Sequence, residues 1–68
     1  MMITKEQCDI KLENDVVVKV SIPYSIFWKE VNDIKGDAYD VMDIISKEYN
    51  CDIVQWGGDN IFFLKNVA

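Results

Sequence analysis

The chain has no histidine and no arginine among its 68 residues, so all seven basic side chains are lysines. Without histidine, no side chain ordinarily titrates near neutral pH and no imidazole can bind a metal ion. Without arginine, no planar guanidinium can bind a phosphate or carboxylate through two parallel hydrogen bonds. Ser-His-Asp and Cys-His catalytic arrangements are therefore excluded.

Cysteine and glycine are also scarce. The two cysteines, Cys8 and Cys51, are too few for a disulfide scaffold, and the three glycines form no phosphate-binding motif. No apolar run approaches about 18 residues, and the N-terminal stretch lacks the apolar segment of a signal peptide. We therefore expect no enzymatic activity, no cofactor, no metal ion and no membrane contact, in a protein of the cytoplasm of a bacterium or a host cell.

What the chain does have is apolar and acidic residues. Half of the residues are hydrophobic, and the net charge is −5. We expect a single domain over residues 1–68. The core of so small a domain rarely gives a folding stability above ~3–5 kcal/mol without a disulfide, a metal ion or a partner. The negative charge argues against direct binding to nucleic acid and favours a basic protein partner. Solubility alone is the alternative explanation of the charge.

Alternating apolar residues predict a β-hairpin before the centre of the chain. The strands are expected at Gln7–Leu12 and Val16–Ile22, because every second residue in each is apolar. A three-residue loop would place Leu12 opposite Val16 and would align the apolar faces of the two strands. A two-residue loop would pair apolar with polar side chains, so we expect the longer loop.

A second hairpin is predicted after the centre, from strands at Cys51–Trp56 and Ile61–Lys65. A two-residue turn at Gly58 and Asp59 places Trp56 opposite Ile61 and keeps the register regular to the strand ends.

The stretch from Tyr24 to Asn50 has helical spacing, with one apolar stripe through Phe27 and a second from Ala38 to Tyr49. Gly36 fits a helix end and Asp37 an N-cap, so the region is either one kinked helix or two short helices. The predicted fold is α+β: two antiparallel hairpins form a four-stranded sheet, in the order ββα(α)ββ, and the helical region packs on one face. The order of the strands in the sheet is left open. The predicted core residues are Ile10, Leu12, Val18, Val20, Phe27, Val31, Val41, Met42 and Ile45.

An acidic row is the first candidate binding feature. Glu30, Asp33, Asp37 and Asp40 are spaced 3, 4 and 3 residues apart. On a nearly continuous helix they would lie on one side, with neighbouring Cβ atoms about 5–6 Å apart, which is comparable to the spacing of phosphates along a nucleic acid. The row could therefore imitate a nucleic-acid backbone for a partner protein. A solvated helix face is the alternative.

The second candidate feature is the C-terminal hairpin, which is apolar on both faces. One layer of helices covers only one face of a sheet, and exposed apolar patches mark interaction sites. We expect Trp56, Phe62 or Phe63 to contact a protein partner or a second copy in a homodimer. A strongly twisted sheet that buries both faces within its own chain is the alternative.

The leading hypothesis is a small acidic, non-enzymatic protein-binding module, an inhibitor that covers a surface of a nucleic-acid-handling protein. The alternative is a structural homo-oligomer that buries an apolar sheet face. The layout, size and acidity are similar to the general type of inhibitor proteins that phages and plasmids encode, although no motif is shared.

Overall fold

The structure, a computed structural model, describes residues 3–66 and confirms the predicted α+β fold. Its four strands form one antiparallel sheet in the order β1-β2-β4-β3, so β1 and β3 are the edges. In chain order, a 3-10 turn at Lys5–Gln7 precedes β1 (Asp9–Glu13), β2 (Val16–Pro23), α1 (Tyr24–Ile34), α2 (Ala38–Tyr49), β3 (Ile53–Trp56) and β4 (Asn60–Leu64).

The loop of the first hairpin has two residues, so the expected three-residue loop is wrong. Asn14 and Asp15 have φ angles of 51° and 64°. Positive φ at both loop residues is the backbone of a type I′ turn, whose twist matches that of the flanking strands. Next to this loop, Leu12 lies opposite Val17 rather than Val16.

A β-bulge then restores the apolar pairing that the short loop alone would lose. Lys11 lies opposite Lys19, so Val18 is an extra residue in β2. Beyond the bulge, Ile10 lies opposite Val20, and both side chains are on the helix side of the sheet. The prediction failed because it required one regular register, whereas the chain combines the short loop with a one-residue shift.

The second hairpin has the predicted register. Trp56 lies opposite Ile61 and Val54 opposite Phe63, with residues 57–59 between the two strands. This register was predictable because the two-residue turn at Gly58 and Asp59 sets a regular pairing of the two strands.

The helical region is divided into two helices. The left-handed residue that ends α1 is Lys35, at φ 54°, rather than Gly36. The Asp37 carboxylate accepts a hydrogen bond from the Asp40 backbone N–H at 3.1 Å, and the Asp40 carboxylate accepts one from the Asp37 N–H at 3.0 Å. This capping box starts α2 and confirms Asp37 as the N-cap. Gly36 leaves space for it, because a Cβ there would lie 2.5 Å from the Asp40 carboxylate.

The core lies between the two helices and one face of the sheet. Five of the nine predicted core residues are buried: Val20, Phe27, Val31, Val41 and Ile45. Ile10, Val18 and Met42 are half-buried. The core also contains Ile3, Ile22, Cys51, Ile61 and Phe63.

Leu12 was expected in the core, but 56% of it is exposed. It lines an open groove of about 840 Å³ between the first hairpin and the end of α2, together with Val17 and Tyr49. The apolar face of the hairpin tip is therefore left partly uncovered. The strand pattern identified the face of Leu12 correctly but could not show how far the helices extend over it.

Candidate protein-binding surface

Two tryptophans from different elements meet at the surface. The ring centroids of Trp28 on α1 and Trp56 on β3 are 6.4 Å apart, with 24° between the ring planes. The exposed fractions are 47% for Trp28 and 51% for Trp56. Tyr24 packs beside them, with its ring centroid 5.6 Å from that of Trp56. We call these three residues, Tyr24, Trp28 and Trp56, the tryptophan surface.

The fold holds both indoles from below. The fully buried ring of Phe27 meets Trp28 at 5.5 Å and Trp56 at 5.9 Å, edge-on in both contacts. Aromatic pairs favour such tilted geometries, which contribute about 0.5–1.5 kcal/mol beyond the burial of area. The Tyr24 hydroxyl donates a hydrogen bond to the Gly57 carbonyl next to Trp56. The exposed rings are therefore held in a defined arrangement.

The start of α1 sets this arrangement. The Tyr24 backbone N–H donates to the Asp59 carbonyl at 3.0 Å, which attaches the first turn of α1 to the turn between β3 and β4. Trp28 lies one helical turn after Tyr24 and so on the same face. Because β3 ends at Trp56 beside this turn, the two tryptophans are brought together from distant parts of the sequence.

The helix-free face of the sheet carries a second, smaller apolar surface. Ile53 is 41% exposed, and Phe62 and Leu64 are half-buried. The Lys19 ammonium lies 4.6 Å from the centroid of the Phe62 ring, so its stem and charge cover part of that ring. One edge of the Phe62 ring occupies the place that a Cβ at Gly57 would take.

The three apolar residues predicted to contact a partner have different environments. Trp56 belongs to the tryptophan surface, Phe62 lies on the helix-free face, and Phe63 is fully buried in the core. Phe63 therefore offers no surface to a partner. Sequence reasoning missed Tyr24 and Trp28. The available signal was their position at the margin of the α1 apolar stripe, where a large aromatic residue is left partly exposed.

The four residues of the predicted acidic row do not lie on one continuous helix. The break at Lys35 separates α1 from α2, so the continuous helix that the hypothesis requires is absent. Glu30 is only 2% exposed, because it lies on the buried side of α1 one turn after Phe27.

The other three acidic residues, Asp33, Asp37 and Asp40, are exposed near the junction of the two helices. The carboxylates of Asp37 and Asp40 also form the capping box. Whether these exposed acids contact a partner stays a prediction.

Neither Cys8 nor Cys51 forms a disulfide. Burial raises the pKa of the Cys8 thiol, which its hydrogen bond with Tyr49 partly opposes, and nearby Asp9 raises it further. Burial is also the main cause that raises the pKa of Cys51 and of Tyr49. Because a thiolate is the nucleophilic form of cysteine, thiols with a raised pKa are weak nucleophiles at neutral pH.

Within residues 3–66, no three metal-binding side chains of the His, Cys, Asp or Glu types come together. In the same part of the chain, no helix has the length and apolar character needed to cross a membrane.

Comparisons of the chain with protein-family models, with curated proteins and with solved structures each found no significant match.

Proposed function

We propose that the chain is a small acidic protein-binding module without catalytic activity, and that the tryptophan surface is its contact with another protein. The observation that carries this proposal is the stacked pair of Trp28 and Trp56, each about half exposed. Tryptophan is enriched among the residues that dominate binding energy at protein interfaces. A paired exposed indole surface is unusual on a small domain that has no partner.

The two indole rings are also supported by neighbouring side chains of the same chain. Phe27 and the hydrogen bond of Tyr24 restrict the two tryptophan rings before any partner arrives. Binding would then freeze few additional side-chain rotations, so less of the interaction energy is lost to ordering. A rigid, apolar surface of this kind fits a complementary apolar pocket or groove on the partner.

We further propose that the partner is a nucleic-acid-handling protein whose basic surface the chain covers, so that the chain acts as an inhibitor in the cytoplasm. The net charge of −5 supports this, as do the exposed Asp33, Asp37 and Asp40 near the helix junction. A protein that binds phosphates presents basic residues, and opposite charges accelerate association. The two thiols fit a reducing compartment.

A second candidate function is a structural homo-oligomer that buries the helix-free face of the sheet. The partial exposure of Ile53, Phe62 and Leu64 on that face favours it. Replacing Leu64 with Lys would place a charge in that interface while leaving the tryptophan surface unchanged. Loss of self-association without loss of partner binding would assign the oligomer to this face.

The experiment is differential capture from extracts of the organism that encodes the chain. Three immobilised forms are compared: the wild type, the double variant Trp28→Ala/Trp56→Ala, and the control Tyr39→Ala. Tyr39 is the matched control because it is an aromatic residue that is 76% exposed and lies on α2, which carries none of the three residues of the tryptophan surface. We expect the same protein to be captured by the wild type and the control but not by the double variant. Equal capture by all three forms would refute a role of the tryptophan surface.

A further inference from the structure

The two edges of the sheet differ in charge. The edge strand β1 has charged residues at Asp9, Lys11 and Glu13, whereas the edge strand β3, Ile53–Trp56, has none. Charged residues, and lysine above all, are the usual protection of an edge against pairing with another strand. The β3 edge lacks this protection, and it lies directly beside the exposed ring of Trp56.

The hydrogen bonds of the sheet show which backbone groups of β3 face outward. The Gly57 N–H donates to the Asn60 carbonyl at 3.0 Å. The backbone N–H and C=O groups of Gly57, Gln55 and Ile53 therefore face β4. Val54 and Trp56 alternate with them and direct their N–H and C=O groups to the open edge. The Lys65 N–H donates to the Val18 carbonyl at 3.0 Å on the far side of β4, which agrees with this alternation.

No backbone hydrogen bond among residues 3–66 involves these outward groups of β3. They are two donors and two acceptors in a row, on a strand without charge. Another extended strand could therefore continue the sheet at this edge.

We propose that β3 pairs antiparallel with β3 of a second copy, about a twofold axis at Gln55. In this register Val54 lies opposite Trp56 of the second copy, and Trp56 opposite Val54. All four outward groups on each strand are then paired, through two reciprocal hydrogen-bonded pairs. Twofold symmetry requires that the same patch serve both copies, which this register satisfies.

Side-chain directions support the same register. Val54 and Trp56 both lie on the helix side of the sheet, so their pairing keeps like faces together. A shift of one residue would set helix-side against helix-free side chains and would misalign the outward groups.

On the helix-free face, this register places Ile53 opposite Gly57 of the second copy. The space that a Gly57 side chain would need is occupied by the edge of the Phe62 ring. Ile53, which is 41% exposed in the single chain, would therefore meet Phe62 of the second copy. One apolar contact would thus form on each side of the new strand pair.

The edge-paired dimer goes beyond the proposed function, because it needs no partner other than the chain itself. It also differs from the homo-oligomer described above, in which the face of the sheet rather than its edge is buried. In the edge-paired dimer the two tryptophan surfaces lie on the same side of an eight-stranded sheet, flanking the twofold axis.

The test is a symmetric disulfide in the variant Gln55→Cys. Residues on the axis form a non-hydrogen-bonded pair, with Cα atoms about 4.5 Å apart, which is within reach of a disulfide. We expect oxidation to convert this variant to a covalent dimer linked through position 55, as shown by mass spectrometry of peptides. The wild type under the same oxidation controls for Cys8 and Cys51.

Ile53→Cys is the matched register control. In the proposed pairing the two positions 53 are four residues out of register, or about 13 Å apart along the strand, which is too far for a disulfide. We expect no covalent dimer from this variant. Efficient cross-linking at position 53 with none at position 55 would overturn the register.

Sedimentation tests the dimer without a cross-link. We expect the wild type and Gln55→Thr to associate as concentration rises to several hundred micromolar. We expect Gln55→Lys to stay monomeric, because it sets two like charges against each other on the axis. Position 55 is exposed, so the circular dichroism spectrum of this variant should match that of the wild type. A monomeric wild type over this range would refute the proposal. So would a dimer that tolerates Gln55→Lys but is lost in Leu64→Lys.

Discussion

The indole rings of Trp28 and Trp56 stack at the surface with their centroids 6.4 Å apart, and this contact joins α1 to the open edge of the sheet. The two residues lie on elements that are well separated along the chain. Phe27 lies beneath both indole rings and packs edge-on against each of them. The contact is thus both a structural joint and the centre of the proposed binding surface.

We expect this contact to contribute a measurable but small part of the stability. Trp28→Ala, Trp56→Ala and the double variant form a thermodynamic cycle, from which denaturant unfolding gives the coupling free energy. Aromatic pairs typically contribute about 0.5–1.5 kcal/mol, and the half exposure of both rings favours the lower end of that range. All three variants should stay folded. A coupling energy of zero would show that the rings do not interact in solution.

The fold could be predicted largely because strand alternation and helical spacing agree along the chain. The second hairpin register followed from Gly58 and Asp59, a local signal. The register of the first hairpin was not predicted, because β2 contains a bulge at Val18. Periodicity cannot report such an irregularity, since one inserted residue looks the same as a shift of the whole strand.

The site was less predictable than the fold. Trp56 was identified because the C-terminal hairpin is apolar on both faces, yet its neighbour Trp28 depends on how α1 crosses the sheet. Glu30 was assigned to an acidic surface from spacing alone, although it lies on the same side of α1 as Phe27. The omission of Trp28 concerns tertiary placement, which local spacing does not encode. The spacing of Glu30, three residues after Phe27, already puts both residues on one side of the helix.

The core should be sensitive to a single truncation of α2. Ile45 is fully buried, whereas its neighbour Ile44 is 37% exposed. We expect Ile45→Ala to lower the free energy of unfolding by about 2–5 kcal/mol, because it removes apolar contacts and leaves a cavity. That loss approaches the whole stability of so small a domain.

Ile44→Ala is the control for the truncation of Ile45. It removes the same side chain one position away and should lower the free energy of unfolding by less than Ile45→Ala does, since part of the Ile44 side chain already contacts water. Equal losses from Ile44→Ala and Ile45→Ala in urea titrations would mean that the buried face of α2 is assigned wrongly.

Stability should fall at alkaline pH. Burial raises the pKa of Cys8 and Cys51 above the ordinary value of 9.0, and it raises the pKa of Tyr49 above 10.0. The unfolded chain therefore loses these protons first as the pH rises, and the free energy of unfolding declines from about pH 9 upward. Below pH 9 the contribution of these groups is fully present.

Thiolate absorbance measures this difference directly. We expect the two thiols to titrate at a higher pH in the native protein than in urea. Coincident titration curves for the native and the unfolded chain would contradict the burial of Cys51 and the partial burial of Cys8.

Electrostatic attraction should set the rate at which the chain meets its partner. Asp33→Asn with Asp43→Asn removes two exposed charges from the helices and leaves the capping box of α2 intact. The exposed ion pair of Asp43 with Lys47, at 3.0 Å, contributes at most about 1 kcal/mol, so the variant should fold. We expect slower association with the partner and a shallower dependence on salt.

The matched control for these charges is Asp9→Asn with Glu13→Gln, which removes two exposed charges from β1 at the other edge of the sheet. Stopped-flow or biosensor kinetics at two salt concentrations compare the two variants. Identical association rates for the helix variant, the β1 control and the wild type would leave the acidic residues as a solvated surface. In that case the proposal of a basic, nucleic-acid-handling partner would lose its main support.

The affinity of the captured partner for the single and double tryptophan variants tests the central proposal most directly. We expect Trp28→Ala and Trp56→Ala each to weaken binding by at least about 2 kcal/mol, or roughly thirtyfold. The double variant should lose less than the sum, because each ring supports the other. Tyr39→Ala should bind as the wild type does. Unchanged affinity in the double tryptophan variant, with its fold intact, would contradict the assignment of the tryptophan surface as the protein-binding site.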